Sequence, residues 1–147
     1  MGDFVYGSKS AGRIATCHVK MQDVAMRAIK LTPVDYTIIH GWRGEEVQTV
    51  LFESGASKKP WPESTHNNEE DEGDGVLMPC SLAIDFGVLI NGKIPWGDTH
   101  AFAVVAGVWF AAAEECGATL RWGGDWDMDG STEDQTFMDW GHVEIRL

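Results

Sequence analysis

The chain has 147 residues, 44% of them hydrophobic, and carries 23 acidic against 11 basic residues for a net charge of −12. That length suits one globular domain, since domains commonly run to about 100–150 residues. The acidic balance argues against a nucleic-acid partner, because gripping a phosphate backbone draws on clustered Lys and Arg, and no apolar run reaches the roughly 20 residues that span a bilayer.

The opening stretch "MGDFVYGSKSAGRIATCHVK" has no basic patch followed by a long apolar segment, so the chain is expected to be made as a soluble cytoplasmic protein. From Ile14, the residues Ile14, Cys17, Met21, Val24, Ala25, Ala28 and Leu31 recur at three- and four-residue steps, which predicts one amphipathic helix closed by Pro33. "VDYTIIHGW" is a β-rich run. "GEEVQTVLFESG" predicts a short helix with acids in its first turn and Gly55 beyond its end. The segment from His66 to Gly75, "HNNEEDEGDG", holds five acids and no apolar residue and is expected to be a solvated loop. "LAIDFGVLINGKIPW" predicts a hairpin, because Asn91-Gly92 readily takes the positive φ angles of a two-residue turn. A long helix should run from Asp98 as N-cap to Gly117 as C-cap, with Phe102, Val105, Val108 and Trp109 on one face. "ATLRW" and "HVEIRL" add two strands. Helices and strands do not alternate regularly, so the fold class is α+β, a small antiparallel sheet with packed helices.

Cys17, Cys80 and Cys116 are odd in number and far apart, and signal neither a disulfide framework nor a thiolate zinc site. Of the histidines, His18, His40 and His100 have ordinary structural or surface explanations. His66 and His142 differ by their company. His66 stands in "PESTH" at the edge of the acidic stretch, and Asp85 sits among apolar residues in "LAIDFG", where a carboxylate is costly unless paired or bound to a cation. His142 opens the last strand, three residues after Asp139, and two readings compete for it: a packing residue or a metal ligand. Two imidazoles and one carboxylate make a common open zinc site with a position left for water, and Asp139 could act as its base. No local motif such as His-Glu-x-x-His is present, so the residues alone leave both readings open.

Further stretches carry a resemblance. "YGSKS", "DYTIIHGWR", "ESGAS", "STH", "AIDFGVLINGKIPW", "AFAVV", "LRWGGDW" and "DWGHVEIRL" resemble, in order and over nearly the whole chain, the phage L-alanyl-D-glutamate endopeptidases of the zinc D,D-carboxypeptidase and D-Ala-D-Ala dipeptidase superfamily. That family has a motif Ser-x-His-x-x-Gly-x-Ala-x-Asp and a closing Asp-x-x-His. Ser64 and His66 match the start of the first motif, Ala83 and Asp85 its end, and Asp139 and His142 the closing pair. The resemblance implies that His66, Asp85 and His142 hold zinc and that Asp139 is the general base. It also implies that Arg43 lies at the substrate cleft, where it can steady a carbonyl oxygen gaining charge; an ion pair is the structural alternative. Here His66 and Asp85 are separated by an acidic insertion at about residues 67–80, and Ser81 replaces the family's glycine. A rival alignment would use Asp74 as the ligand; Asp85 is preferred because Ala83 precedes it correctly. The function implied is that of a phage endolysin acting on bacterial peptidoglycan, as a monomer held in the host cytoplasm until the membrane is opened. A D,D-carboxypeptidase or dipeptidase of the same superfamily, or a wall-binding module, are the alternatives.

"DWDMDGSTEDQT" reads like most of a calcium loop, with Asp125, Asp127 and Asp129 at alternate positions, Gly130 for the sharp turn and Glu133 at the ninth place; the twelfth is Thr136 rather than Glu. On its residues alone the segment suits an acidic surface loop. Its position, running almost directly into Asp139 and His142, favours a calcium regulator, as does the calcium-responsive loop that related phage enzymes carry in this region.

Overall fold

The computed structural model describes residues 2–147. In chain order it runs α1 (Ser8–Ile14), α2 (Val19–Leu31), β1 (Tyr36–His40), α3 (Glu45–Glu53), a 3-10 turn (Thr65–Asn67), β2 (Glu69–Asp71), β3 (Leu77–Pro79), β4 (Ala83–Val88), α4 (Thr99–Glu115), β5 (Thr119–Trp122) and β6 (His142–Arg146). The architecture is α+β, as the irregular succession of elements predicts.

The helix expected from residue 14 to 31 is two helices. The chain breaks at Thr16 to His18: the Ser81 amide donates to the Thr16 carbonyl (3.0 Å), and the His18 amide to the Ser81 carbonyl (2.9 Å). His18, placed inside the helix by the sequence reading, is instead the N-cap of α2, its imidazole accepting from the Lys20 amide. The three-and-four spacing survives the break because Ile14 and Cys17 both stay buried against the same core. At the far end Thr32 is extended (ψ 134°), as a residue before proline prefers.

Helix α4 follows its expected signals closely. The Asp98 carboxylate caps the Ala101 amide. At the other end Cys116 is the cap and Gly117 follows at φ +67°. The Gly117 amide donates to Glu114 and the Ala118 amide to Ala113, the paired bonds of a Schellman closure.

The main sheet has strand order β1-β4-β6-β5, antiparallel throughout. Alternation divides its two faces. Tyr36, Ile38, Ile84, Phe86, Val88, Val143 and Ile145 point into a core shared with Met21, Val24 and Ala28 of α2 and Phe102, Val105 and Trp109 of α4. Asp85, His142 and Glu144 occupy the opposite face. One irregularity matters: between Ile38 and His40 the pairing with β4 shifts by a residue. Strict alternation would send His40 into the core with Ile38; the bulge sets it directly across from Asp85 instead.

Two further expectations need correction. The Asn91-Gly92 turn forms, with φ of +52° and +74°, but β4 pairs with β1 and β6, and the return arm contributes only the Ile90–Lys93 bridge. The acidic stretch is exposed but is not an unstructured loop. Its acids in β2 pair with Leu77–Pro79 in a second, two-stranded sheet, and the Asp71 carboxylate ties the tip by accepting from the Gly73, Asp74 and Gly75 amides. The apolar residues that complete this hairpin lie beyond the acidic run itself.

Candidate metal and hydrolytic site

The register of the main sheet lines up three side chains across three strands: His40 opposite Asp85, and Asp85 opposite His142. His66 joins them from the 3-10 turn. There Ser64 explains its place in the motif: its Oγ accepts from the His66 amide (3.2 Å), while Asn67 Oδ1 accepts from the Ser64 amide (3.1 Å), a closed capping box that fixes His66.

Ligand-type atoms of His66, Asp85 and His142 lie within 4.8 Å of one another. Their hydrogen-bond partners define which atoms face inward. His66 Nδ1 lies 2.8 Å from the Gly41 carbonyl, which can only accept, so Nδ1 carries the proton and Nε2 is left as an acceptor. Gly41 must be a glycine for this, because a Cβ there would run into the Arg13 carbonyl. On His142 the outward nitrogen is Nε2, 2.9 Å from Glu144 Oε1. The inward atoms are then His66 Nε2, His142 Nδ1 and Asp85 Oδ1, mutually 3.0 to 3.3 Å apart. Three such atoms at that range can hold a cation between them, either the proton that His142 shares with Asp85 or a metal ion. This donor set suits zinc, which takes imidazole nitrogen and carboxylate oxygen together.

The other Asp85 oxygen is held from behind. Arg43 pairs with Oδ2, and His40 Nδ1 lies 3.4 Å from it. Although burial raises the Asp85 carboxyl, the neighbouring His66 and hydrogen bonding with His142, His40 and His66 carry it well below the usual carboxylate range. For His142, burial pulls downward, but hydrogen bonds to Asp85 and Glu144 and the charges of Asp85 and Asp139 outweigh it and raise the imidazole to about 9. Arg43 is therefore committed to Asp85 while also lining the groove described below; its second amino group reaches Gln48 Oε1 (3.3 Å).

Asp139 is placed by a tight loop. Its amide donates to the Gly123 carbonyl (2.8 Å), the Gly123 amide donates to His142 (2.8 Å), and the His142 amide donates back to the Asp139 carbonyl (3.1 Å). Burial, and then the charge of Asp85, raise the Asp139 carboxyl above its ordinary value, against opposing pulls from His142 and Arg43. A carboxyl poised this way suits a group that takes and returns a proton. Because a Cβ at Gly123 would collide with the Asp139 carbonyl, Gly123→Ala should displace Asp139 and cost about 1–3 kcal/mol of stability. A lowered urea midpoint together with a fall in kcat, at unchanged metal content, is the expected result.

His66, Asp139 and His142 line a groove of about 350 Å³ whose walls carry Lys58, Lys59, Arg43, Arg121 and Glu144, with Arg43 and Arg121 already paired to Asp85 and Glu144. Phe137 and Trp126 add apolar surface. Trp126 lies with its ring centre 5.3 Å from that of His142, and the Arg121 guanidinium sits 5.3 Å above the Trp126 ring.

Asp74, the rival ligand, is at the exposed hairpin tip, where its carboxylate accepts from the Val76 amide (2.9 Å). The sequence reading missed several partners: His40 behind Asp85, Glu144 behind His142, Arg121 behind Glu144, and buried Gln48, which ties Arg43 and Asn67 to the Ser57 and Lys59 segment. Glu144 did have a signal, a carboxylate in the otherwise apolar run "HVEIRL". In the acidic loop, Asp125, Asp127 and Asp129 bring oxygens within 4.8 Å of one another, but Glu133 is not part of that group. Gln135 turns in instead, its amide donating to Asp127 Oδ1 (3.1 Å), while the Glu133 amide is tied to Ser131.

The family model for the phage L-alanyl-D-glutamate peptidase matches residues 1–146. The L-alanyl-D-glutamate peptidase of Escherichia phage T5 is 35% identical over 147 residues, covering 97% of this chain and 98% of that protein. Among solved structures, the L-Ala D-Glu endopeptidase ChiX of Serratia marcescens superposes with a TM-score of 0.73 over 96% of this chain and 89% of its own; at 20% identity the likeness is one of fold.

Proposed function

Because the chain belongs to the phage L-alanyl-D-glutamate peptidase family, we propose that it hydrolyses the bond between L-alanine and D-glutamate in peptidoglycan stem peptides, with zinc held by His66, Asp85 and His142. It is a peptidoglycan endopeptidase of the endolysin kind, acting on the cell wall during host lysis. One observation carries the metal reading: three ligand atoms converge, each imidazole having its other nitrogen occupied, beside the largely buried Asp139 carboxyl at a groove walled by Lys58 and Lys59. The Lys58 and Lys59 charges on the groove wall complement a substrate rich in carboxylates. Among the described residues, no helix is long and apolar enough to cross a membrane.

When bound, zinc supplies a Lewis acid that polarises a peptide carbonyl and makes nearby water more acidic. Asp139 takes the proton of the attacking water and returns it to the departing D-glutamate amine. Arg43 holds Asp85 in place, and from its position in the groove wall it is suited to steady the carbonyl oxygen as charge builds. Digesting purified peptidoglycan and labelling the new amino ends tests the specificity. Fresh D-glutamate amines are the expected product. Released terminal D-alanine would assign a carboxypeptidase instead, and no product at all a wall-binding module.

Asp125, Asp127 and Asp129 further suit a weak calcium site that orders the segment leading into Asp139. The Ser131 amide lowers the Asp129 carboxyl, but desolvation and then the charges of Asp127 and Asp134 outweigh it and raise the group, and a cation there would offset that like charge. Titrating calcium into the zinc-loaded enzyme should shift amide signals between Asp125 and Asp139 and raise the lysis rate without displacing zinc. Unchanged signals and an unchanged rate at millimolar calcium would remove calcium from the account.

A further inference from the structure

Glu144 is 3% exposed, and its two carboxylate oxygens have separate partners. Oε1 meets His142 Nε2 at 2.9 Å, and Oε2 accepts from Arg121 at 3.0 Å. The arrangement follows from the sheet: Glu144 is two residues beyond His142 on the same strand and so shares its face, and Arg121 is its register partner on β5. Resting on the proposed metal site, we infer that Glu144 is a positioning residue that holds the His142 proton on Nε2 and thereby presents Nδ1 to the metal, with Arg121 orienting the Glu144 carboxylate.

The competition explains why such a residue is needed. Asp85 Oδ1 lies 3.0 Å from His142 Nδ1, close enough to attract the single proton of a neutral imidazole to the inward nitrogen. A proton there would leave His142 without a lone pair for a metal. An acceptor at Nε2 balances that pull. His66 reaches the same end with the Gly41 carbonyl on its Nδ1, so the two histidines use opposite nitrogens and each is fixed from behind. Metal-bound histidines commonly have such an outer acceptor, and its loss typically lowers metal affinity about 10–100-fold. A merely structural role, a buried cross-strand ion pair with Arg121, is the competing explanation.

The test measures zinc affinity by competition with a chelating dye, on the full chain and its variants. Glu144→Gln should bind zinc about 10–100-fold more weakly with an unchanged circular dichroism spectrum. Arg121→Met, which removes the ion pair but leaves the carboxylate on His142, should lose less. Long-range proton–nitrogen spectra of the zinc-loaded wild type should show His142 protonated at Nε2 with Nδ1 bound, a readout that needs no variant to fold. Wild-type affinity in Glu144→Gln, an equal loss in Arg121→Met, or metal on Nε2 would each overturn the inference while leaving the zinc reading intact. A wild-type chain that takes up no zinc would overturn both.

Discussion

Asp139→Asn should stop turnover while leaving fold and metal content unchanged. The amide keeps the shape of the carboxylate and can hold a water, but it cannot take that water's proton, and general-base contributions typically reach about 10²–10⁴-fold. The backbone bonds that place residue 139, to Gly123 and from His142, do not involve its side chain and should survive. Rate on purified peptidoglycan, with zinc content measured on the same dialysed sample, checks it. Retention of more than about a tenth of the wild-type rate would remove Asp139 from the role. The pH profile offers a second reading. A base must be deprotonated to work, and burial and the Asp85 charge hold this carboxyl above its ordinary range. Activity should therefore fall, as pH is lowered, earlier than an ordinary carboxylate would dictate.

Loss of a metal ligand should be as severe for activity and different in kind. His66→Ala, Asp85→Ala and His142→Ala should each bring the metal content of dialysed protein to background and abolish lysis. Strong chelation should do the same to the wild type, reversed by added zinc. Asp85→Ala should carry an additional penalty. Arg43, whose side chain is 10% exposed, would lose its carboxylate partner, and leaving a buried charge unpaired costs about 3–5 kcal/mol. Its urea midpoint should therefore fall well below those of the histidine variants measured without metal. Asp74→Ala, at the hairpin tip, should retain full metal content; if it lost metal while Asp85→Ala kept it, the assignment would be wrong.

Much of this site was legible in the order of residues because its chemistry is local. Ser64 caps the turn that bears His66, and Asp139 and His142 are joined by a single tight loop, so short motifs capture them. Helix α4 was legible for the same reason, its caps lying within a few residues of its ends. What could not be read depends on the third dimension. His40 reaches Asp85 only because of a bulge that no spacing announces. The break at Thr16 to His18 arises from bonding to Ser81, far along the chain, and leaves the apolar rhythm intact. Arg121 acquires a role only through its register with Glu144. The second sheet was missed because the acids were read without the apolar residues that pair with them.

The acidic hairpin leaves the site and returns to it at one point, where the Cys80 amide donates to the Asn68 carbonyl (2.9 Å) and the Asn68 side chain donates back to Cys80 (2.9 Å). Beyond that clasp, no residue from Glu69 to Pro79 lines the groove. The interval between the first two ligands is thus free to drift over evolutionary time, since lengthening a closed excursion costs only a slowly growing entropy.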